Sequence, residues 1–497
     1  MTTALASAPP PSSLPPAQRL LHELGLISLW NTGPDSWLVL ISRTTRMFAY
    51  GSNGIFIALF FSSLGFSDFR IGAFMTLTLL GDVILTVILT LIADRIGRRN
   101  ILLFGSLMMV LSGFTFIYFE NYWILLLASV VGIISATGGD FGPFRAIEES
   151  ILSHTTAGSS KTRSDVLSWY VVTSALGSAV GTEISGKVVN WLSKKEGWTD
   201  VRAYHVMFWL YVLNGGIGAI CVLLMSDKTE LASSGSTKQL EDGERELEEQ
   251  ERLLEGEEGG GRLSTSTVEH IALTSSSNAN TNTDVKPEAP TSSKWSSKFS
   301  QISPQTRAVM YKLWPLLAVD SLADGMVGYA LTTYYLAQKF QLSNATLGDI
   351  TSISYFLAAI SSIAAGPLAN HLGLINTMVF THVPSSTAVL LFPAPDSLAL
   401  TIILFFIRTG LNNMDQAPRA AFIAAVVPSD ELTAVNGITS TIRTLASTAG
   451  PTITGWLAGG EKFWIAYVAA GSLRLAYDFG LWALFVGMKL NQQGGRD

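Results

Sequence analysis

Apolar residues fall in long runs broken by short polar stretches. The runs lie near 38–63, 70–93, 100–119, 122–152, 165–192 and 204–226, then near 308–338, 346–371, 375–393, 397–427, 433–458 and 463–488. A bilayer core takes roughly 20 apolar residues per helix. The pattern therefore predicts an all-α integral membrane protein with twelve transmembrane helices, six on each side of a long interruption. The ninth run is the shortest and contains Pro384.

The interruption, residues 227–306, contains "EDGERELEEQERLLEGEEGGG" and then Ser/Thr/Asn-rich sequence. Few apolar residues and many like charges cannot bury a core. This segment is expected to be an acidic, Ser/Thr-rich linker. Residues 1–35 are rich in Pro, Ser and Ala and lack the basic start and apolar core of a secretory signal. They are expected to form a disordered tail. The organisation is thus a tail (1–35), a six-helix half (36–226), the linker (227–306), a second six-helix half (307–490) and a short tail (491–497).

Composition agrees with a membrane protein. Of 497 residues, 14% are charged, against about 25% in soluble domains. The single cysteine, Cys221, excludes an internal disulfide and a four-cysteine metal site. The six histidines are scattered, and no clustered nucleophile, metal-ligand or cofactor motif is present. The chain is expected to be no enzyme, to hold no cofactor or metal, and to bind no nucleic acid. No Gly-x-x-x-x-Gly-Lys-Ser/Thr loop points to a nucleotide-driven pump.

An even number of spans places both termini on one side. With that side cytosolic, Arg95, Arg98, Arg99, Lys161, Arg163, Lys228, Arg307, Lys312 and Lys489 are inside, and Arg70, Lys194, Lys195, Arg202, Lys339 and Lys462 are outside. That is a positive-inside bias, from which the long acidic linker is exempt. The triplet Asn344-Ala-Thr346 then falls outside, where a used glycosylation site must be. The membrane is expected to be the plasma membrane or that of an organelle such as the vacuole.

The chain also repeats itself. "LIADRIGRRNIL" at 91–102 matches "PLANHLGLINTM" at 367–378, placing Asp94 on Asn370, Arg95 on His371 and Gly97 on Gly373. The same spacing aligns Gly72 with Gly348. "DFGPFRA" aligns with "DQAPRAA", so that Asp140 meets Asp415 and Pro143 meets Pro418. "LGSAVGTEISG" at 176–186 aligns with "LASTAGPTITG" at 445–455. Three ordered matches at nearly constant spacing describe two parallel-related halves, an architecture whose substrate site lies near the midplane between them.

"IADRIGRR" after the second span, with its degenerate copy after the eighth, resembles the signature loop of the major facilitator superfamily. The resemblance covers about residues 36–490, and in flavour the chain is similar to fungal members of unassigned substrate. Thr90 stands where the family loop begins with Gly, which Gly366 keeps in the second copy. The resemblance implies the twelve-helix fold of that family, and transport of a small solute by alternating access. It also implies that Asp94, with Arg95, Gly97, Arg98 and Arg99, latches the cytosolic side against the start of the eleventh span. A carboxylate there meets the positive end of a helix dipole. Gly177, Gly181 and Gly186, and Gly450, Pro451 and Gly455, form small-residue faces that allow close helix packing. A related glycine motif marks drug–proton antiporters of the family, but its Pro is Thr182 here, which argues against that label.

The same resemblance implies that spans 1, 4, 7 and 10 line the cavity, and all four carry charge: Arg43 and Arg46; Asp140 and Arg145; Asp320 and Asp324; Arg408, Asp415 and Arg419. Arg43/Arg46 and Asp320/Asp324 each share one helix face and are expected to meet across the pathway. Intramembrane charges of this kind mark substrate or proton pathways, with Asp320 or Asp324 as proton carrier and the arginines favouring an anionic or zwitterionic solute. Asp140 and Asp415, each near a Pro, are expected to form a paired hinge. Glu183 and Arg443 are read as helix-packing groups, and Arg474 with Asp478 as an intrahelical pair. The resulting reading is a monomeric, proton-coupled secondary transporter in a lipid bilayer. The alternative is a non-transporting sensor of the same fold that signals through its linker.

Overall fold

The computed structural model describes residues 25–132, 143–156, 160–230, 302–428, 431–460 and 462–486. The described residues fold as helices and turns. A short helix α1 (Leu26–Trp30) precedes the first half: α2 (Pro34–Ser63), α3 (Asp68–Ile96), α4 (Arg98–Tyr118), α5 (Tyr122–Val131), α6 (Pro143–Thr155), α7 (Ser160–Ser193) and α8 (Asp200–Leu224). The second half comprises α9 (Pro304–Met326), α10 (Tyr329–Phe340), α11 (Asn344–Leu372), α12 (Leu374–Leu391), α13 (Leu398–Asn412), α14 (Gln416–Val426), α15 (Leu432–Gly459) and α16 (Phe463–Phe485). From α2 onward each helix or pair of helices answers to one apolar run; α1 answers to none and forms in the stretch expected to be disordered, where Leu29 is buried. Residues 231–301, most of the expected linker, and Asp140 lie outside the described residues.

Among the described residues, five helical stretches are long and apolar enough to cross a membrane by length and composition: Asp68–Leu89, Arg98–Tyr118, Asp200–Leu224, Asn344–Ala365 and Leu374–Leu391. Other spans are broken or carry more polar residues. The tenth pauses in a 3-10 turn at Asn413–Asp415, beside Pro418, where a hinge is expected. The seventh, expected as one helix, is divided between Met326 and Tyr329. Bulky apolar side chains such as Trp123, Leu127, Leu224 and Trp456 stand exposed on the outer surface, as a lipid-facing wall requires.

Both halves turn the same corner in the same way. Gly97 and Gly373 join consecutive helices with φ of 96° and 83°, a region that costs a side chain energy and glycine nothing. In the first half this corner is also clamped. The Glu230 carboxylate accepts from the backbone N–H groups of Arg98 (2.7 Å) and Arg99 (3.0 Å), and Arg99 pairs with Asp227 at 2.6 Å. An anion there answers both the orphan donors and the dipole of α4. Glu230→Ala should lower stability by about 0.5–2 kcal/mol. Thermal melting of the purified protein would read this, and an unchanged midpoint would show that water caps α4 equally well.

These corners and the linker ends mark one side of the molecule, called here the linker side. On the far side the halves meet at two glycine crossings. A Cβ on Gly72 of α3 would lie 2.3 Å from the carbonyl oxygen of Pro451 on α15, and one on Gly455 would lie 2.5 Å from that of Asp68. A Cβ on Gly186 of α7 would lie 2.8 Å from Gly348 Cα on α11. The remaining glycines of the two repeated faces pack within their own half: Gly177 and Gly181 against α2, and Gly450 against Gly325 of α9. Polar links reinforce the seam. Tyr334 donates to Asp68 at 2.5 Å, and Thr452 donates from its backbone N–H and its hydroxyl to Thr76 Oγ1 at 3.1 and 2.7 Å. Asn344, the first residue of the glycosylation-type triplet, lies half-buried in this seam and accepts from Tyr204 at 3.4 Å.

Candidate functional site

Closing the far side leaves the linker-side portions of the same helices apart. Between them lies a cavity of about 690 Å³, within the usual size of a small-molecule site. Its walls come from both halves. Asp82 and Thr86 of α3 and Arg145 and Glu149 of α6 face Asp324 of α9, Arg419 of α14 and Arg443 of α15. Hydroxyls of Ser321, Thr439, Ser440 and Thr444 fill much of the remaining polar surface.

Behind the first-half wall, Arg43 and Arg46 are buried around one carboxylate. Arg46 Nη2 donates to Glu148 Oε2 at 2.6 Å, and Arg43 Nη1 lies 3.9 Å from the same oxygen. Tyr170 donates to it at 2.7 Å, and Arg43 Nε donates to Ser174 at 2.7 Å. The guanidiniums also stack, Arg43 over Tyr170 at 4.5 Å and Arg46 over Phe144 at 4.2 Å. Buried ions persist only when paired and hydrogen-bonded, and this cluster meets both conditions inside one half. The expected contact with Asp320 and Asp324 across the pathway is absent: three and four residues of spacing fix a shared face, not the partner it meets.

The second half has its own network, centred on Arg474 of α16, which is fully buried. Arg474 binds Asp324 and Asn412, and Nη2 contacts His382 Nε2 at 2.8 Å. His382 Nδ1 lies 2.6 Å from Asp478 Oδ1, whose other oxygen accepts from Ser386 at 2.8 Å. With Arg474 donating to Nε2, the ring is neutral and Nδ1–H donates to Asp478. Asp320 lies 3.6 Å from His382 Nε2. Arg474 and Asp478 therefore do not form the intrahelical pair expected of them; each reaches to another helix.

Of the charged residues singled out from the sequence, Arg145, Asp324 and Arg419 line the cavity. Arg145 pairs with Glu149 at 2.7 Å and Arg419 with Asp415 at 2.6 Å. Arg43, Arg46, Asp320 and Asp415 sit behind the walls. Arg408 serves the break in the seventh span: it donates to the Val327 carbonyl freed there and to Thr332 Oγ1 at 3.0 Å. A broken membrane helix needs such a donor. Arg443, read as a packing group, lines the cavity, donates to Ser321 at 3.1 Å and forms no ion pair within 4 Å among the described residues. The side chains of Asp94 and Arg95 lie outside those described. Glu148, His382 and Asp82 were not singled out as site residues. The signal for Glu148 was local: it is three residues from Arg145 and neighbours Glu149, and burial alone separates the two glutamates.

Two six-helix halves, joined on one side and parted around a polar cavity on the other, define a membrane protein of the transporter class. The chain belongs to the Major Facilitator Superfamily, whose family model matches residues 39–300 and 313–489. A curated relative, the uncharacterized membrane protein YJR124C of Saccharomyces cerevisiae, is 29% identical over 467 residues, covering 93% of this chain and 97% of its own. Among solved structures, the nucleoside transporter NupG (its D323A mutant) superposes with a TM-score of 0.62 at 12% identity, covering 91% of this chain and 100% of that one. A bacterial homologue of the human lysosomal transporter Spinster, inward-facing and occupied, gives 0.60 at 11% identity over 90% and 95%. The human organic anion transporter MFSD10 gives 0.57 at 12% identity over 91% and 99%. These likenesses establish the fold. The family points to a membrane transporter.

Proposed function

We propose that the protein is a proton-coupled secondary transporter that moves a small solute by alternating access, and that the conformation described is its inward-facing state. The observation that carries this reading is the polar cavity on the linker side, between halves whose helices cross closely on the far side. A pathway closed at one end and open at the other is what alternating access requires. The linker side is then cytosolic, with both termini there, in the plasma membrane or an organelle membrane. The solute carries an anionic group, alone or within a zwitterion. Arg443 supports this, because its guanidinium lines the cavity, donates to a serine hydroxyl and forms no ion pair within 4 Å among the described residues.

In this reading the pathway residues act in two groups. Arg145, Asp324 and Arg419 meet solute or water directly. Arg43, Arg46, Asp320, Arg408 and Asp415 tune them from behind, and Asp140 with Asp415 flexes the fourth and tenth spans. Asp94, Arg95, Gly97, Arg98 and Arg99 hold the cytosolic side in the opposite state. The protein works as a monomer. The competing sensor reading gains nothing from a cavity of this size.

Reconstitution tests the proposal. Purified protein in proteoliposomes, given an acid-outside gradient and a mixture of anionic and zwitterionic metabolites, should accumulate one class of them. A protonophore should abolish the accumulation. If no solute crosses under any gradient, the sensor reading replaces this one.

A further inference from the structure

Three carboxylates line the cavity, and two of them are held by cations. Glu149 pairs with Arg145 at 2.7 Å, and Asp324 binds Arg474. The third, Asp82 of α3, is 3% exposed, and among the described residues neither an ion pair nor a hydrogen bond holds it. Its Oδ1 is sealed from solvent and has no hydrogen-bond partner. One turn earlier on the same helix face, the Thr78 hydroxyl is likewise buried and unpartnered, so it does not supply a donor.

Among the described residues, the surroundings add no countercharge. α4 and α5 carry titratable groups only at their ends: Arg98, Arg99, Tyr118 and Tyr122. From α6 come Arg145 and Glu149, bonded to each other. From α15 comes Arg443, bound to Ser321 of α9. From α14 comes Arg419, held by Asp415. From α8 comes Tyr211, whose hydroxyl donates to the Gly132 carbonyl at 3.4 Å and whose ring stacks on Tyr50 of α2 at 6.3 Å. On α2, Arg46 is held by Glu148. An ionised carboxylate left this way in an apolar interior is costly, and taking up a proton removes the cost.

We infer that Asp82 is the acid that binds and releases the coupling proton, loaded and unloaded through the cavity. The inference rests on the proton-coupled reading above and moves its proton carrier from Asp320 and Asp324 to the opposite wall. Position supports it. Asp82 lies six residues from Thr76 and ten from Gly72, which form the far-side seam with Thr452 and Gly455. It therefore faces the linker-side cavity while that seam is shut, and parting the seam opens α3 to the other side. An arginine-bound acid such as Asp324 lacks this freedom, because its cation keeps it charged in the state where it meets the cavity.

Carbodiimide labelling tests the inference without a known solute. Dicyclohexylcarbodiimide, an apolar reagent for protonated carboxyls, should modify Asp82 of the full chain in proteoliposomes, as read by peptide mass spectrometry. The rate should fall about tenfold per pH unit once the group ionises. Asp82→Asn should remove the adduct, while Asp320→Asn and Asp324→Asn should leave it. Labelling confined to Asp320 or Asp324, or a rate on Asp82 independent of pH, would overturn the assignment. So would protection by sodium at constant pH, because a sodium ion is the other occupant that buried oxygens suit. Flux separates the two readings. Supporting the inference, Asp82→Asn should lose proton-driven accumulation and keep solute exchange. Accumulation equal to wild type would sink the role of Asp82 and leave transport intact. A wild type that labels at Asp82 but moves no solute would uphold the acid and sink transport.

Discussion

Gly72→Val should cut transport at least tenfold and turn the resting protein to face the far side. The added carbon would start 2.3 Å from the Pro451 carbonyl oxygen and close to Gly455. Both are backbone, so neither can swing aside as a flexible side chain would. Overpacking of this kind costs about 1–3 kcal/mol. Two conformations of a protein commonly differ by only a few kcal/mol, and 1–3 kcal/mol shifts an equilibrium roughly 5- to 150-fold. The penalty falls only on the state in which the far side is shut. The opposite state has no such crossing there, so the substitution changes populations instead of unfolding the chain.

A single reporter cysteine reads the shift. Cys221 is the sole native cysteine and is buried, so replacing it with serine gives a clean background. Ser440 is exposed and lines the cavity. Ser440→Cys should react with a membrane-impermeant maleimide from the linker side in the parent, and from the far side once Gly72→Val is added. Gly437→Val is the control, since its added carbon meets nothing within 4 Å. If both variants label like the parent, the crossing does not set the conformational balance.

The fold was largely legible because the bilayer imposes it. An apolar run of fixed length has one stable outcome, so the boundaries of the spans followed from spacing alone. The glycine faces were legible for a related reason: a small residue repeated at matching places in two halves leaves room for a backbone, and at Gly186 and Gly455 a backbone from the other half occupies it. The partners of the charges were not legible. Arg43 and Arg46 share a face with each other, but Glu148 comes from 102 residues beyond Arg46 and is fixed only by tertiary packing. The break at Val327–Gly328 is equally hidden, because the donor that tolerates it, Arg408, lies 81 residues away. Asp82 escaped notice for the opposite reason. A lone acid in "LGDVILT" has no local companion to make a pattern, and its lack of companions is what gives it meaning once the cavity is seen.

Arg474→Met should be among the most destabilising single changes in the second half. The side chain is fully buried and supplies the positive charge that Asp324, Asn412 and His382 contact directly. Removing one partner of a fully buried pair costs about 3–5 kcal/mol because the other charge stays behind without compensation; Asp324 is 35% exposed at the cavity wall, so the low end, about 3 kcal/mol, applies. On the scale of 2–4 °C per kcal/mol for large domains, the melting midpoint in detergent should fall by roughly 6–12 °C. Arg474→Lys should lie between, keeping the charge but losing the planar fork that reaches several partners at once. The decisive measurement is the double variant. If the cost is the stranded carboxylate, Asp324→Asn in the Arg474→Met background should recover a large part of the lost stability, although a second native group has been removed. Additive losses would mean that Arg474 stabilises by packing alone, and that the acids around it owe nothing to its charge.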